Sequence, residues 1–240
     1  MSKTQAAHAG AILREFLAFL RRPRLLVPTG LRAPGALAQL AVLILLDLAV
    51  LLILLLPLIA SWQQFFSLPT PDAFDKISPA MLVPVAVLIA PVVEEMLFRG
   101  WLTGRARALW LLACAIGCAA LVFASTQGMD PAAAGFGLIG FAIAAIAGWL
   151  ALRKRPASRW FAQAFAPIFY LSALVFSLVH MLNYPSFSAL ALPLVLPQLW
   201  SGLLLGFARM RLGLAASMLV HGTANGTVLA VAALANGPGA

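Results

Sequence analysis

The sequence MLVPVAVLIAPVVEEMLFR, residues 81–99, places two adjacent carboxylates, Glu94 and Glu95, directly after thirteen uncharged residues. A charged side chain at the centre of a bilayer costs roughly 2.5–3.5 kcal/mol on insertion scales, so ionisable residues in an apolar span are functional candidates. The stretch therefore predicts a transmembrane helix that carries a reactive carboxylate. Pro84 and Pro91 are expected to bend this helix and to free backbone carbonyls.

Helical spacing separates the two acids. Glu95 and Arg99 are four residues apart with the acid first, which favours an ion pair along one face of a helix. Glu94 points about 100° away from Glu95, toward a different neighbour. We therefore expect Glu95 and Arg99 to form a supporting pair and Glu94 to be the reactive carboxylate.

The composition of the whole chain is that of a membrane protein. Of its 240 residues, 63% are hydrophobic and 10% are charged, and several apolar runs are long enough to cross a bilayer. This profile leaves no room for a separate soluble domain. The net charge of +9 does not indicate a nucleic-acid partner, because the basic residues form short clusters between apolar runs.

The apolar runs predict an all-α polytopic membrane bundle of about seven transmembrane helices. Residues 1–35 are basic and carry apolar residues at helical spacing from Ile12 to Leu20, which is typical of an interfacial helix. Residues 36–240 then form a single transmembrane domain that contacts the lipid bilayer. Its predicted spans are 36–60, 80–100, 108–126, 133–152, 164–183, 188–207 and 213–233.

The distribution of basic residues gives the expected orientation. With seven spans and a cytoplasmic N-terminus, fifteen of the sixteen Lys and Arg residues lie inside and only Lys76 lies outside. This is the pattern that the positive-inside rule requires. We therefore expect the N-terminus in the cytoplasm and the C-terminus outside.

Four polar residues from three spans can meet near the middle of the membrane: Glu94, His180, His221 and Asn225. His221 and Asn225 are four residues apart and share a helix face. Counted from the flanking arginines, Glu94 lies 11 to 13 residues from the inner boundary, roughly 16–20 Å, and His221 lies roughly 15 Å from it. His180 reaches the same depth only if its span begins near Pro167.

This set of groups suits the activation of a water molecule. A carboxylate in a low-dielectric site is a stronger base, and a neutral imidazole can hold and help to deprotonate the same water. A second imidazole and a carboxamide N–H can donate to an oxyanion as it develops. The structural alternative is that each histidine only makes an interhelical hydrogen bond. Asp47 has no motif around it, and we expect an interior packing or orienting role there.

Three motifs resemble those of a known family. Glu-Glu-x-x-x-Arg at 94–99, Phe-x-x-x-His at 176–180 and His-x-x-x-Asn at 221–225 occur in this order, each in an apolar span. They are similar to the motifs of the CAAX prenyl protease and bacteriocin-processing (CPBP or Abi) family of intramembrane proteases. The resemblance covers a protease core of residues 80–105 and 165–232.

The resemblance implies an intramembrane endopeptidase that cleaves a membrane-associated protein or peptide, located in the bacterial inner membrane. The roles that it implies are general base for Glu94, water activation for His180, an oxyanion hole from His221 and Asn225, and a supporting pair of Glu95 and Arg99.

The chain departs from the family in the order of its elements. The family places its Phe-x-x-x-His one helix after the glutamates, whereas residues 108–152 intervene here. The motif expected at that point is matched by Phe123 and ends in Gln127, and glutamine cannot act as a base. We therefore assign the role to His180 and interpret 108–152 as an inserted helical hairpin.

The family is divided on whether a metal is required. It has been called metal-dependent, yet close relatives resemble glutamate proteases that need no bound metal. This sequence has no His-Glu-x-x-His pair, which favours the glutamic type with no cofactor. If a divalent metal such as zinc is used, its ligands would be Glu94, His180 and His221.

Two functions of other classes stay open. A proton-coupled transporter also uses buried Glu and His residues, but it predicts two similar halves, and the sequence shows no internal repeat. A catalytically inactive relative could instead serve as an interaction or immunity protein with the same fold.

Overall fold

The computed structural model describes residues 3–73, 77–186 and 188–236. Lys76, the one basic residue that the charge pattern predicts outside the membrane, lies outside this described part. The regular elements of the described residues are all helical. They are α1 (Lys3–Arg21), α2 (Ala36–Phe66), α3 (Pro79–Arg99), α4 (Ala106–Thr126), α5 (Pro131–Leu152), α6 (Arg159–Gln163), α7 (Phe165–Asn183), α8 (Ala189–Arg211) and α9 (Leu214–Asn236).

Seven of the described helices, α2 to α5 and α7 to α9, are long and apolar enough to cross a membrane. This confirms the predicted all-α polytopic bundle. The largest difference from the sequence expectation is at the end of α2, which continues to Phe66 rather than ending at residue 60. Helix continues there through polar residues until Ser67 adopts a left-handed conformation with φ of 50°, which terminates a helix.

The N-terminal helix α1 packs against the bundle with one side. Ile12 and Phe16 are buried, and the Phe16 ring contacts the rings of Trp200 and Phe207. Leu17, on the same predicted apolar stripe, is exposed. The apolar face of α1 is therefore wider than the part of it that packs against the bundle, as expected for a helix at the membrane surface.

The core of the bundle lies around α8, which packs against α7, α9 and α2. Leu204, Leu205 and Phe207 of α8 are fully buried. Gly206 permits the close contact with α7, because a Cβ at this position would lie 2.5 Å from the ring of Phe169. Close packing at small residues is the usual way in which helices associate in lipid.

The hairpin of α4 and α5 packs mainly on itself. Its two helices contact each other extensively, and Gly148 leaves room for Trp110, whose Nε1 donates a 2.8 Å hydrogen bond to the Ala144 carbonyl. Cys114 and Ala134 are its only buried residues among those described. The hairpin therefore stands beside the bundle, and its interpretation as an insertion stays a prediction.

Candidate active site

The predicted carboxylate and both predicted imidazoles meet between α3, α7 and α9. Oε2 of Glu94 lies 3.8 Å from Nε2 of His180 and 3.8 Å from Nε2 of His221. The side chains are 28%, 16% and 7% exposed, respectively, so Glu94 is the most accessible of the three. Three residues that are up to 127 positions apart in the chain (94 to 221) are thus assembled around one point.

The antiparallel packing of α3 and α7 explains why Glu94 and His180 meet. Ser172 of α7 donates a 2.9 Å hydrogen bond to the carbonyl of Phe98 on α3, so these two residues lie at the same height along the two helices. Glu94 lies four residues before Phe98 on α3, and His180 lies eight residues after Ser172 on α7. Because the helices are antiparallel, Glu94 and His180 both lie on the same side of this hydrogen bond. Their side chains approach each other because helical side chains point toward the N-terminus of their own helix.

The helical rise between the site and the ends of α3 and α9 is shorter than the count from the flanking arginines. α3 ends at Arg99, five residues after Glu94, which is about 7–8 Å of helix. α9 begins at Leu214, seven residues before His221, which is about 10 Å. The count from the arginines is longer because it includes residues 100–105 and 212–213, which lie outside the helices. For His180 the requirement is met, since α7 begins at Phe165 after the separate short helix α6.

The hydrogen bond of His180 fixes which ring nitrogen carries a proton. Its Nδ1 lies 2.7 Å from the backbone carbonyl of Phe176. A carbonyl only accepts, so Nδ1–H is the donor, and the neutral ring presents an unprotonated Nε2 toward Glu94. His180 therefore faces the carboxylate with a hydrogen-bond acceptor.

Glu95 and Arg99 form the expected ion pair, and both are buried. Nη1 of Arg99 lies 2.7 Å from Oε1 of Glu95, and the side chains are 1% and 0% exposed. The same Oε1 lies 3.0 Å from Nδ1 of His221. Because the Glu95 carboxylate accepts, Nδ1–H of His221 is the donor, and Nε2 of that ring faces Glu94.

Phe176 contacts three of the charged or titratable groups. Its ring centroid is 3.8 Å from the guanidinium carbon of Arg99, 4.7 Å from the ring of His180 and 5.8 Å from the ring of His221. A guanidinium over an aromatic face is favourable, particularly where both are desolvated. The Phe-x-x-x-His motif indicated the contact with His180, whereas the contact with Arg99 has no signal in the sequence.

Asn225 is tied to the backbone of α3. Its Nδ2 donates a 2.8 Å hydrogen bond to the carbonyl of Ala86. This carbonyl lies in the π-helical turn Pro84–Ile89, and the Ala90 N–H bonds to Val85 instead of Ala86. Pro91 has no N–H to offer. Asn225 therefore satisfies a carbonyl that Pro91 and the π-helical register leave free, and one hydrogen of its amide is used there.

Gly222 allows α9 to approach this irregular part of α3. A Cβ on Gly222 would lie 2.6 Å from the carbonyl oxygen of Val87, which is closer than side-chain carbons come to carbonyl oxygens. No motif in the sequence indicates that this glycine matters. Its role depends on the relative rotation of α9 and α3, which only the folded structure shows.

Two other predicted positions lie elsewhere. Asp47 is fully buried and accepts a 3.1 Å hydrogen bond from Oγ of Ser201 on α8, which agrees with an interior orienting role. Gln127 follows the end of α4 and is exposed, as is Phe123. The second Phe-x-x-x-Gln motif is thus on the hairpin surface, and its glutamine bonds to the adjacent Thr126.

The described residues hold no group of three or more His, Cys, Asp and Glu side chains arranged to bind a metal ion. The separation of 3.8 Å between Glu94 and each imidazole is longer than the distance of about 3.3 Å between tetrahedral ligands of zinc that have bonds near 2.0 Å. In this arrangement the three side chains do not fit a zinc site without a shift.

The comparison with protein families gives one match. The model of the family described as Rce1-like, type II CAAX prenyl endopeptidase Rce1-like, matches residues 76–165 and 152–227. Together these two segments cover well over half of the chain and contain all three motifs. No curated protein and no solved structure matches. The chain therefore belongs to the Rce1-like family of type II CAAX prenyl endopeptidases, and it is an integral membrane protein of the CAAX intramembrane protease class.

Proposed function

We propose that this protein hydrolyses a peptide bond of a membrane-associated protein or peptide, with Glu94 as the general base that activates water. The observation that carries this proposal is the position of Oε2 of Glu94, 3.8 Å from Nε2 of both His180 and His221. This separation is too long for a direct hydrogen bond. It is short enough for one water molecule to contact the carboxylate and an imidazole together.

His180 holds the attacking water beside Glu94. Its Nδ1–H is used by the Phe176 carbonyl, so Nε2 accepts a hydrogen from the water while Glu94 accepts the other. As the water oxygen attacks the peptide carbonyl, its proton moves to the carboxylate. Glu94 then delivers this proton to the leaving amine, since a carboxylate of this kind serves as base and acid in turn.

His221 stabilises the negative oxygen that forms in the attack. Because its Nδ1–H donates to Glu95, the ring can donate from Nε2 only as an imidazolium. Arg99 holds Glu95 in place, so this contact keeps Nε2 of His221 directed at the reaction centre. Asn225 contributes the amide hydrogen that Ala86 does not use. Donors of this kind typically contribute 10²–10³ in kcat each, by order of magnitude, as in other oxyanion holes.

We favour the glutamic mechanism over a metal-dependent one. Two observations support this choice. Each imidazole donates its Nδ1–H to a protein acceptor and directs Nε2 toward Glu94. The distances between Glu94 and the two imidazoles are also longer than those between the ligands of a zinc site. The substrate class follows from the family, whose members are described as prenyl endopeptidases. A cavity that opens toward the cytoplasmic side would admit such a substrate, because Glu94 and His221 lie nearest the ends of α3 and α9 on that side.

The test compares the peptides in membranes of cells that make either the wild-type protein or Glu94→Gln. Released C-terminal or internal fragments that occur only with the wild type support the proposal and identify the substrate. Identical peptide populations, with both proteins present in the membrane at the same level, contradict it. Glu15→Gln, which changes a carboxylate of α1 that pairs with Arg211, is the matched control.

A further inference from the structure

A cavity separate from the candidate active site lies between the α4–α5 hairpin and the bundle. Its volume is about 1000 Å³, at the upper end of the roughly 300–1,000 Å³ range of small-molecule sites. Its apolar walls include Met96 and Leu97 of α3, Leu111 and Ala115 of α4, and Val27 of the segment after α1. We refer to it as the hairpin cavity.

The hairpin cavity faces a different side of α3 from the catalytic groups. Val93, Met96, Leu97 and Gly100 line it, and at 100° per residue they are centred roughly 110° around the helix from Glu94. Glu94 and the two active-site histidines are not among the residues that line it. A molecule bound in the hairpin cavity would therefore have no peptide bond within reach of Glu94. We expect its ligand to differ from the segment of the substrate that is cleaved.

Arginine is the only charged residue type on the walls. Arg105, Arg107 and Arg209 line the cavity, and no described lining residue is acidic. Arg107 is held by the ring of Trp149, 4.5 Å from its guanidinium carbon. Arg209 is 8% exposed and its Nε donates to the carbonyl of Arg99. Two of the three charges, those of Arg107 and Arg209, are thus positioned by the protein.

From these observations we propose that the hairpin cavity binds one anionic phospholipid, with its headgroup phosphate against the arginines and its acyl chains along the walls of α3 and α4. Basic pockets between transmembrane helices on the cytoplasmic side bind anionic lipid headgroups, and the positive-inside pattern predicts that side for Arg105 and Arg107. The lipid fills the space between bundle and hairpin, which otherwise share few buried side chains. This proposal does not depend on the catalytic mechanism.

The test measures lipid retention by the delipidated full-length protein with native mass spectrometry in detergent. The probes are dioleoyl phosphatidylglycerol and dioleoyl phosphatidylcholine, which differ in charge and have the same chains. We expect the wild type to retain one phosphatidylglycerol at a concentration where phosphatidylcholine is not retained. Equal retention of the two lipids overturns the proposal.

Two sets of variants locate the lipid. Arg105→Gln with Arg107→Gln should weaken the retention of phosphatidylglycerol about tenfold or more, whereas Lys154→Gln with Arg155→Gln, which removes two charges outside the cavity, should not. Ala108→Phe with Ala115→Phe fills the cavity, leaves every charge in place, and should also abolish retention. If the cavity-filling variant still binds the lipid, or the control pair weakens binding as much as the arginine pair, the proposed site is wrong.

Discussion

Nδ2 of Asn225 lies 2.8 Å from the carbonyl oxygen of Ala86 and donates to it. The two residues join α9 to the π-helical turn Pro84–Ile89 of α3, after which the Ala90 N–H bonds to Val85 rather than to Ala86 and Pro91 has no N–H. In a membrane, a carbonyl without a partner is costly because no water replaces the lost donor. Asn225 therefore has a structural contact in addition to its proposed role in the oxyanion hole.

Replacement of Asn225 by alanine should lower both stability and activity. The Ala86 carbonyl loses its donor, which costs roughly 1–3 kcal/mol, and the oxyanion loses one donor, which lowers kcat by about 10²–10³. Thermal unfolding in detergent and cleavage kinetics check the two effects separately. Thr227→Ala, which removes an exposed hydroxyl on the same helix, is the control. An unchanged melting temperature in Asn225→Ala would show that the hydrogen bond contributes nothing.

The glycines of α9 provide a matched pair. A Cβ at Gly222 would lie 2.6 Å from the Val87 carbonyl oxygen, whereas a Cβ at Gly226 would make ordinary 3.6 Å contacts with the Val87 side chain. Gly222→Ala should push α9 away from α3, at a cost of roughly 1–3 kcal/mol, and should reduce cleavage because His221 moves with the helix.

Gly226→Ala should be neutral or stabilising, since alanine is favoured over glycine in a helix by about 1 kcal/mol. Melting temperatures and cleavage rates of the two variants, measured side by side, check this. Similar behaviour of both variants would contradict the close approach of α9 at Gly222.

Substitutions at Glu95 and Arg99 should have non-additive effects on the free energy of unfolding. Either Glu95→Leu or Arg99→Leu alone leaves one buried charge unpaired, which costs roughly 3–5 kcal/mol. The double variant removes both charges and should be more stable than either single variant. It should nevertheless be inactive, because Nδ1 of His221 has lost its acceptor. Unfolding free energies of the three variants check this, and a double variant less stable than both single ones contradicts the pairing.

Chelation separates the glutamic mechanism from a metal-dependent one. Purified protein treated with 1,10-phenanthroline and then dialysed should keep its cleavage rate, because in the proposed mechanism Glu94 and His180 activate water without a metal. Metal content by mass spectrometry of the same sample should be well below one zinc per chain. Loss of cleavage that returns on addition of zinc, and not on buffer exchange alone, would establish the metal-dependent alternative.

The sequence could predict those features that depend on one helix or on hydropathy alone. Seven spans follow directly from apolar runs, and the Glu95–Arg99 pair follows from a spacing of four residues. The structure brings His180, which the motif at 176–180 favoured over Gln127, close to Glu94 and leaves Gln127 exposed.

The features that the sequence could not predict depend on how helices are rotated against one another. The bond from Asn225 to Ala86, the stacking of Arg99 on Phe176 and the proton positions on both histidines are of this kind. The turn after Arg99 is a further such feature, because hydropathy does not show that α3 ends at this residue.

The cleavage kinetics of Glu94→Gln test the central claim most directly. The substrate is a farnesylated peptide ending in a CAAX tetrapeptide, or the membrane peptide that the cellular comparison identifies, presented to the purified protein in proteoliposomes. Removal of the general base should lower kcat by about 10²–10⁴, with an unchanged melting temperature and with Glu15→Gln fully active. Cleavage by Glu94→Gln at the wild-type rate would contradict the account.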